Sequence, residues 1–391
     1  MKILAVTFDV ELLGGANRSF LMVIENLKKK YNHTIKVIIP GKGPIEKELI
    51  SKGILYDIVD LPQTGCVLCG EKKDLLRKCK ANIKAAIHYL KANIRYKSYI
   101  EYDLVYINGT SQLFGYYIAK KMHKPFVWHF RGYLTENHYY CFSQTKIFND
   151  NCGKIIVISK SMFQNLPELL GIDCKHMTVI PNGLEMMLGR KKTILCNNSV
   201  NCVLCGRLIS IKGQMEAIEA LYILKRHGIK NVYLHFAGDL NAGNKRYIEE
   251  LKKVTKKYDL QDKVIFEGQI DDMTNFREKM DIELMCSINE PFGRVTVEGM
   301  RSNLLVIGAN TGGTLDIINN GYNGLLYEQG NPEDLAEKIL YALNHPDKAQ
   351  KISDNAYEFS KNNFTIDENV KKINEVLMEV KIHAHERQRK S

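Results

Sequence analysis

Val200-Asn201-Cys202-Val203-Leu204-Cys205-Gly206-Arg207-Leu208-Ile209-Ser210-Ile211-Lys212-Gly213 passes from a short apolar run into a loop bracketed by glycines. Beyond it, Met215 to Leu224 repeats apolar residues at helical spacing. A compact apolar run bounded by glycine predicts a buried strand, so the stretch reads as strand, loop and helix. Arg207 and Lys212 then stand at the open end of a sheet beside a helix N-terminus, where two cations and free amides suit a phosphate anion.

The same alternation continues on both sides. Val232 to Ala237, Val264 to Phe266, Ile282 to Met285 and Leu304 to Ile307 predict further strands in the second half. In the first half, Lys2 to Phe8, Ile35 to Ile39, Leu104 to Ile107, Phe126 to His129, Ile155 to Ile158 and Thr178 to Ile180 read the same way. Between the first two of these, Phe20, Val23, Ile24 and Leu27 mark a helix ending in Lys28, Lys29 and Lys30, cations that suit a helix C-terminus. Strands alternating with helices indicate parallel sheets covered on both faces. The pattern lapses after Pro181-Asn182-Gly183, over the polar, non-periodic stretch Gly189 to Ser199. The expected fold is therefore α/β, with two doubly wound Rossmann-like domains, 1–188 and 200–364, joined by a linker at 189–199. A C-terminal helix within 365–391 is expected to pack back toward the first domain and to end in a charged, partly disordered tail from His383. Ligands of such sheets bind beyond the carboxyl ends of the strands, so two domains facing across a cleft suit a ligand with two parts.

Composition narrows the class. The chain has 391 residues, 45% hydrophobic and 25% charged, which fits a folded chain with two cores and excludes collagenous or largely disordered ones. No apolar run approaches the roughly 18 residues that span a bilayer, and the first residues lack the pattern of a secretory signal, so a cytoplasmic protein with reduced thiols is expected. Cys66-Val-Leu-Cys69 and Cys202-Val-Leu-Cys205 have zinc-ligand spacing. The second pair lies in a strand, where residues three apart face opposite ways, which argues against one shared metal.

The net charge of +11 is uneven: 26 basic against 16 acidic residues up to Glu185, then 29 against 28. Residues 71–97 hold Lys72, Lys73, Arg77, Lys78, Lys80, Lys84, Lys91, Arg95 and Lys97 against Glu71 and Asp74. Leu76, Cys79, Ile83, Ile87, Leu90 and Ile94 recur there at steps of three and four, an apolar stripe with cations over the rest of the helix. Three readings stand: a core helix with a solvated face, a nucleic-acid patch, or a contact with anionic lipid.

Two further segments carry chemistry. In Glu290-Pro291-Phe292-Gly293-Arg294-Val295-Thr296-Val297-Glu298-Gly299-Met300, two carboxylates are separated by seven residues. A helix beginning near Gly293 leaves Glu290 in the loop before it, Glu298 a turn and a half in, and the amides of Arg294 to Thr296 exposed between them. That geometry suits a nucleotide sugar, with carboxylates for sugar hydroxyls and the ribose diol and amides for phosphate. Gly308-Ala309-Asn310-Thr311-Gly312-Gly313-Thr314 is a glycine-rich turn after a strand.

Together these segments resemble the retaining glycosyltransferases of family four, which have the glycosyltransferase-B fold. The resemblance spans nearly the whole chain. It includes Gly14-Gly15-Ala16, Val127-Trp128-His129, Val179 to Gly183, Gly206-Arg207-Leu208 with Lys212-Gly213, Phe266-Glu267-Gly268, Glu290 to Glu298, Gly312-Gly313 and Asn323 to Leu326. It implies that Arg207 and Lys212 neutralise a leaving diphosphate, with Glu290 on sugar hydroxyls, Glu298 on the ribose and His129 near the reacting centre. Gly14, Gly15, Gly206, Phe292, Gly293, Arg294, Val295 and Thr296 would complete the donor site, and Gly268 and Gln269 would read the base. It implies no cofactor and no metal, since the leaving phosphate takes the acceptor's proton. Asp316 stands where relatives often carry Glu, and Arg294, Arg301 and Asn303 where smaller or apolar residues are frequent.

The resemblance makes the first domain the acceptor side. The expected partners are a nucleotide-diphosphate sugar, with uridine favoured, and a glycan or lipid-linked saccharide in surface polysaccharide assembly, at an anionic membrane surface met through 71–97. Two rivals remain: an epimerase or hydrolase of nucleotide sugars on the same scaffold, and a nucleic-acid-binding protein, which explains the basic half but not Glu290 and Glu298. A dinucleotide oxidoreductase lacks its Gly-x-Gly-x-x-Gly turn.

Overall fold

The computed structural model describes residues 1–12, 15–62, 74–110, 112–132, 147–240 and 244–390. They form two units. One comprises Met1–Leu184 with Ile366–Ser391, the other Glu185–Thr365.

The first unit is a parallel sheet of seven strands in the order β3-β2-β1-β4-β5-β6-β7. These are β1 (Lys2–Val6), β2 (Thr34–Ile39), β3 (Leu55–Ile58), β4 (Leu104–Asn108), β5 (Phe126–Phe130), β6 (Gly153–Val157) and β7 (Met177–Val179). Helices α1 (Gly15–Tyr31), α2 (Pro44–Ser51), α3 (Asp74–Arg95), α4 (Leu113–Met122) and α5 (Lys160–Leu170) occupy the crossovers. Strands β4 and β5 are buried along their whole length, which is why they read as unbroken apolar runs rather than alternating ones.

The second unit has six parallel strands ordered β10-β9-β8-β11-β12-β13. They are β8 (Val200–Cys205), β9 (Val232–Ala237), β10 (Val264–Gly268), β11 (Ile282–Met285), β12 (Leu305–Ala309) and β13 (Leu325–Tyr327). Its helices are α6 (Gln214–Arg226), α7 (Lys245–Lys257), α8 (Met273–Arg277), α9 (Arg294–Arg301), α10 (Thr314–Ile317), α11 (Pro332–Asn344) and α12 (Pro346–Asn362). In each sheet the strand order reverses once, between β1 and β4 and between β8 and β11. Such a switch point leaves a crevice at the carboxyl ends of the strands.

Three expectations need correction. The stretch 189–199 is not a linker but part of the second unit: Gly189 N donates to Arg301 O at 2.9 Å, Lys192 N to Asn303 Oδ1 at 2.9 Å, and Ile194 lies in the core. Polarity without periodicity describes a segment fixed by hydrogen bonds as well as a free one. The chain leaves the second unit at Thr365, and the last helix, α13 (Ile366–Lys390), continues through the stretch from His383 expected as a disordered tail. It belongs to the first unit, where Val370, Ile373, Val376, Leu377 and Val380 join the core beside β1 and β2.

The third concerns α3, for which three readings stood: the core-helix one is not what the structure has. Its apolar stripe does not serve as the core face. Ile83, Leu90 and Ile94 are 60%, 57% and 74% exposed, and Cys79 is exposed as well. The helix is held instead through His88 and Ala92, which are buried on the side toward α4. His88 accepts from Phe114 N at 3.0 Å through Nδ1 and donates through Nε2 to Pro62 O at 2.8 Å. Residues 71–73 and the side chains of 74–78 lie outside the described set, as do Cys66 and Cys69. Cys202 and Cys205 pack into separate clusters, as strand residues three apart must.

Candidate functional site

The three segments singled out by sequence converge at the carboxyl ends of β8, β11 and β12. The loop after β8 turns left-handed at Gly213, which starts α6, and a Cβ there would meet Cys286 O at 2.2 Å. That loop therefore lies directly on the chain leaving β11, and only glycine permits the approach. The turn after β12 closes on the same place, since Gly313 N donates to Glu290 O at 2.7 Å. A Cβ at Gly313 would stand 2.7 Å from Phe292 Cα.

On this platform Lys212 Nζ donates to Glu290 Oε2 at 2.6 Å, a pair that is mostly buried. Arg207 is exposed on the same loop. Gly293, in the left-handed region at φ 98°, starts α9, so the amides of Arg294 to Thr296 have no partner within the helix. Two buried hydroxyls nearby, Thr296 Oγ1 and Thr314 Oγ1, find no hydrogen-bond partner among the described residues. Glu298 is one turn further along, one-third exposed. Gly268 ends β10, and its carbonyl accepts from Gly238 N at 2.8 Å; Gln269 beside it is exposed. The exception is Phe292. Its ring turns inward against Phe364, with centroids 5.5 Å apart, so its side chain is committed to the core and only its backbone remains for a ligand.

Sequence reasoning missed what lies under Glu298. Arg277, at the end of α8, is buried and donates from Nε to Glu283 Oε2 at 2.8 Å and from Nη2 to Glu298 Oε2 at 3.2 Å. Burial opposes the Arg277 charge, but the facing carboxylates, Glu283 first, hold its pKa above the ordinary guanidinium value. Burial pushes the Glu283 carboxyl up against the pull of Arg277. The signal was available: a carboxylate inside the apolar run Ile282 to Met285 demands a partner. Two of the unusual residues also find their reasons. Arg301 donates to the carbonyls of Glu185, Ser360, Asn363 and Phe364, and Asn303 donates to Ser353 Oγ at 2.9 Å.

In the first unit, Gly14 lies outside the described residues and Gly15 opens α1. His129, one residue before the end of β5, is fully buried inside a polar network near the sheet's switch point. Arg131 donates to Asn108 Oδ1 and Asn182 Oδ1, both at 2.6 Å, and to Tyr106 OH at 3.4 Å. Tyr106 OH lies 2.6 Å from His129 Nδ1. Burial first, and then Arg131, hold the His129 pKa well below its usual value, so the ring is neutral. With Arg131 donating to the tyrosine oxygen, the tyrosine proton points at Nδ1. His129 Nε2 therefore carries a hydrogen, and that atom has no hydrogen-bond partner among the described residues.

A parallel α/β scaffold with cations, helix amides and two carboxylates gathered at a switch point defines a nucleotide-binding class of protein. Comparison with known proteins takes the assignment further. The model for glycosyl transferases group 1 matches residues 191–359, and that for glycosyltransferase family 4 matches residues 13–186. Between them they span most of the chain, which belongs to this glycosyltransferase family. An uncharacterized glycosyltransferase of Methanocaldococcus jannaschii is 32% identical over 55% of this chain and 57% of its own length. The capsular polysaccharide biosynthesis glycosyltransferase CapM of Staphylococcus aureus is 26% identical over 50% of this chain and 49% of its own. The matches thus span about half the length of these relatives. Anabaena HepE, solved in complex with UDP, superposes with a TM-score of 0.80 at 23% identity, over 97% of this chain and 100% of that one. At that identity the likeness speaks for the fold, glycosyltransferase-B.

Proposed function

We propose that the protein is a retaining, metal-independent glycosyltransferase that moves a hexose or N-acetylhexosamine from a UDP-sugar to a glycan or lipid-linked saccharide in surface polysaccharide assembly. The observation that carries this is the convergence of Arg207, Lys212, Glu290, the first amides of α9 and Glu298 at one switch point. UDP in the complex of a structural relative and capsular polysaccharide synthesis by a sequence relative support the donor and the pathway class.

The chemistry follows from charge. As the acceptor oxygen bonds to the anomeric carbon, the bond from that carbon to the diphosphate breaks on the same face. The acceptor's proton passes to the departing phosphate oxygen. Arg207 and Lys212, with the amides of Arg294 to Thr296, stabilise the diphosphate charge, which is largest at this point. Glu290 accepts from sugar hydroxyls. Glu298 accepts from the ribose diol, and backbone groups near Gly268 and Gln269 read the base. Glu298→Ala is expected to weaken UDP binding about 10- to 100-fold, the worth of hydrogen bonds to a charged group. Calorimetric titration with UDP tests this, and unchanged affinity removes the donor site as described. Full-rate turnover of UDP-glucose without any acceptor would favour the hydrolase reading instead.

The partner surface is α3. Its exposed Ile83, Leu90 and Ile94 share the helix with Lys80, Lys84, Lys91 and Arg95, and no acidic residue occurs between Asp74 and Glu101. An apolar stripe flanked by cations suits the interface of an anionic bilayer, at about 1 kcal/mol per cation near the surface. Among the described residues no helix is long and apolar enough to cross a membrane, so the contact proposed is peripheral. In flotation with phosphatidylglycerol vesicles the protein is expected to rise with the lipid, and Ile94→Asp or charge removal at the exposed Lys80 and Arg95 to reduce this severalfold. Equal flotation with neutral phosphatidylcholine vesicles, or by the variants, contradicts it.

A further inference from the structure

We propose that Arg277 is a positioning residue for nucleoside recognition: held from below by Glu283, it fixes the carboxylate of Glu298 in the direction from which it receives the ribose diol. This rests on the reading of Glu298 as the ribose group and adds to it a buried pair outside the ligand's reach.

The pair is expensive for a core. Glu283 lies wholly buried on β11 beneath α9, where its partners are the Arg277 guanidinium and the Cys205 thiol. The Cys205 thiol is itself kept protonated, by burial and then by this carboxylate. A buried ion pair costs desolvation, and apolar residues of similar volume would usually serve the core as well or better. The helix above is shaped to admit it. A Cβ at Gly299 would come within 2.8 Å of Glu283 Cβ and 2.9 Å of its Cγ, so α9 rests on β11 at a distance that only glycine allows. What the arrangement yields is one guanidinium whose Nε is committed to Glu283 and whose Nη2 reaches Glu298 Oε2. The other oxygen, Glu298 Oε1, stands 3.6 Å from Arg294 Nη2. Both oxygens of Glu298 are thereby oriented while a third of the side chain stays open. A vicinal diol donating two hydrogen bonds requires a carboxylate fixed in plane. Arg277 supplies that orientation without touching the nucleotide.

Removing Arg277 alone leaves Glu283 buried and uncompensated, so Arg277→Met is paired with the double variant Arg277→Met/Glu283→Leu, which removes both charges. Binding of UDP and of 2′-deoxy-UDP is measured calorimetrically for the parent, the double variant, Arg277→Lys, Glu298→Ala and the triple combination, with thermal melting as the folding control. The double variant, folded, is expected to bind UDP about tenfold more weakly, with kcat at saturating UDP-glucose within a factor of two and KM raised in proportion. The loss should be much smaller for 2′-deoxy-UDP, partly restored in Arg277→Lys, and absent when Glu298 is already alanine. An equal loss for UDP and 2′-deoxy-UDP, or a loss undiminished in the Glu298→Ala background, overturns the positioning role and leaves the donor site standing. Unchanged UDP affinity in Glu298→Ala overturns the donor site and this proposal with it.

Discussion

Lys212→Ala is expected to lower kcat about 10²- to 10³-fold, the range seen when one preorganised electrostatic group is removed from a site of developing negative charge. Lys212 is paired with Glu290 at 2.6 Å. The substitution therefore has two effects in the same direction: the diphosphate loses a cation, and a mostly buried carboxylate is left to repel it. Lys212→Arg restores charge but not the compact ammonium, and should recover part of the rate. Arg207 is more exposed, so Arg207→Ala should cost less. Steady-state kinetics with varied UDP-glucose separates turnover from binding. A kcat within threefold of the parent in Lys212→Ala would remove the lysine from the chemistry.

Gly213→Ala should produce the largest loss of stability of any single methyl group added at this site. The residue sits at φ 73°, where an L side chain costs roughly 1–2 kcal/mol. Its new Cβ would stand 2.2 Å from Cys286 O, a backbone atom that cannot turn aside. Forced backbone shifts in packed structure add about 1–3 kcal/mol. A total near 4 kcal/mol lowers the melting temperature of a domain of this size by about 10 °C. Because the shift separates the β8 loop from the end of β11, donor binding should fall together with stability. A melting temperature within 2 °C of the parent contradicts the close approach of the two loops.

Most of the architecture was legible because buried parallel strands announce themselves as short unbroken apolar runs. Val232 to Ala237 and Ile282 to Met285 were read with the bounds the fold gives them. Strand β3, Leu55–Ile58, was not read: it is an edge strand with an Asp in it and one side half open, and no apolar run marks it. At the site, Arg207, Lys212, Glu290 and Glu298 could be grouped because each lies in a loop or first turn following a strand, a position fixed by local sequence. Arg277 and the polar network around His129 could not. Their roles depend on partners brought together by sheet order, as Arg131 meets Asn182 from 51 residues away. The stripe of α3 shows the opposite error: periodicity locates an apolar face without saying what it faces, and here His88 and Ala92 hold the helix while Ile83 and Ile94 look outward.

The placement of α13 sets an order of events during synthesis. The first unit owes five core residues, from Val370 to Val380, to a segment that leaves the ribosome only after the whole second unit. The unit begun first is therefore the one finished last, after 185–365 has already emerged. Until α13 emerges, the groove beside β1 and β2 stays open and apolar. A nascent chain stalled before Ile366 thus holds an unfinished half that only the arrival of α13 can seal.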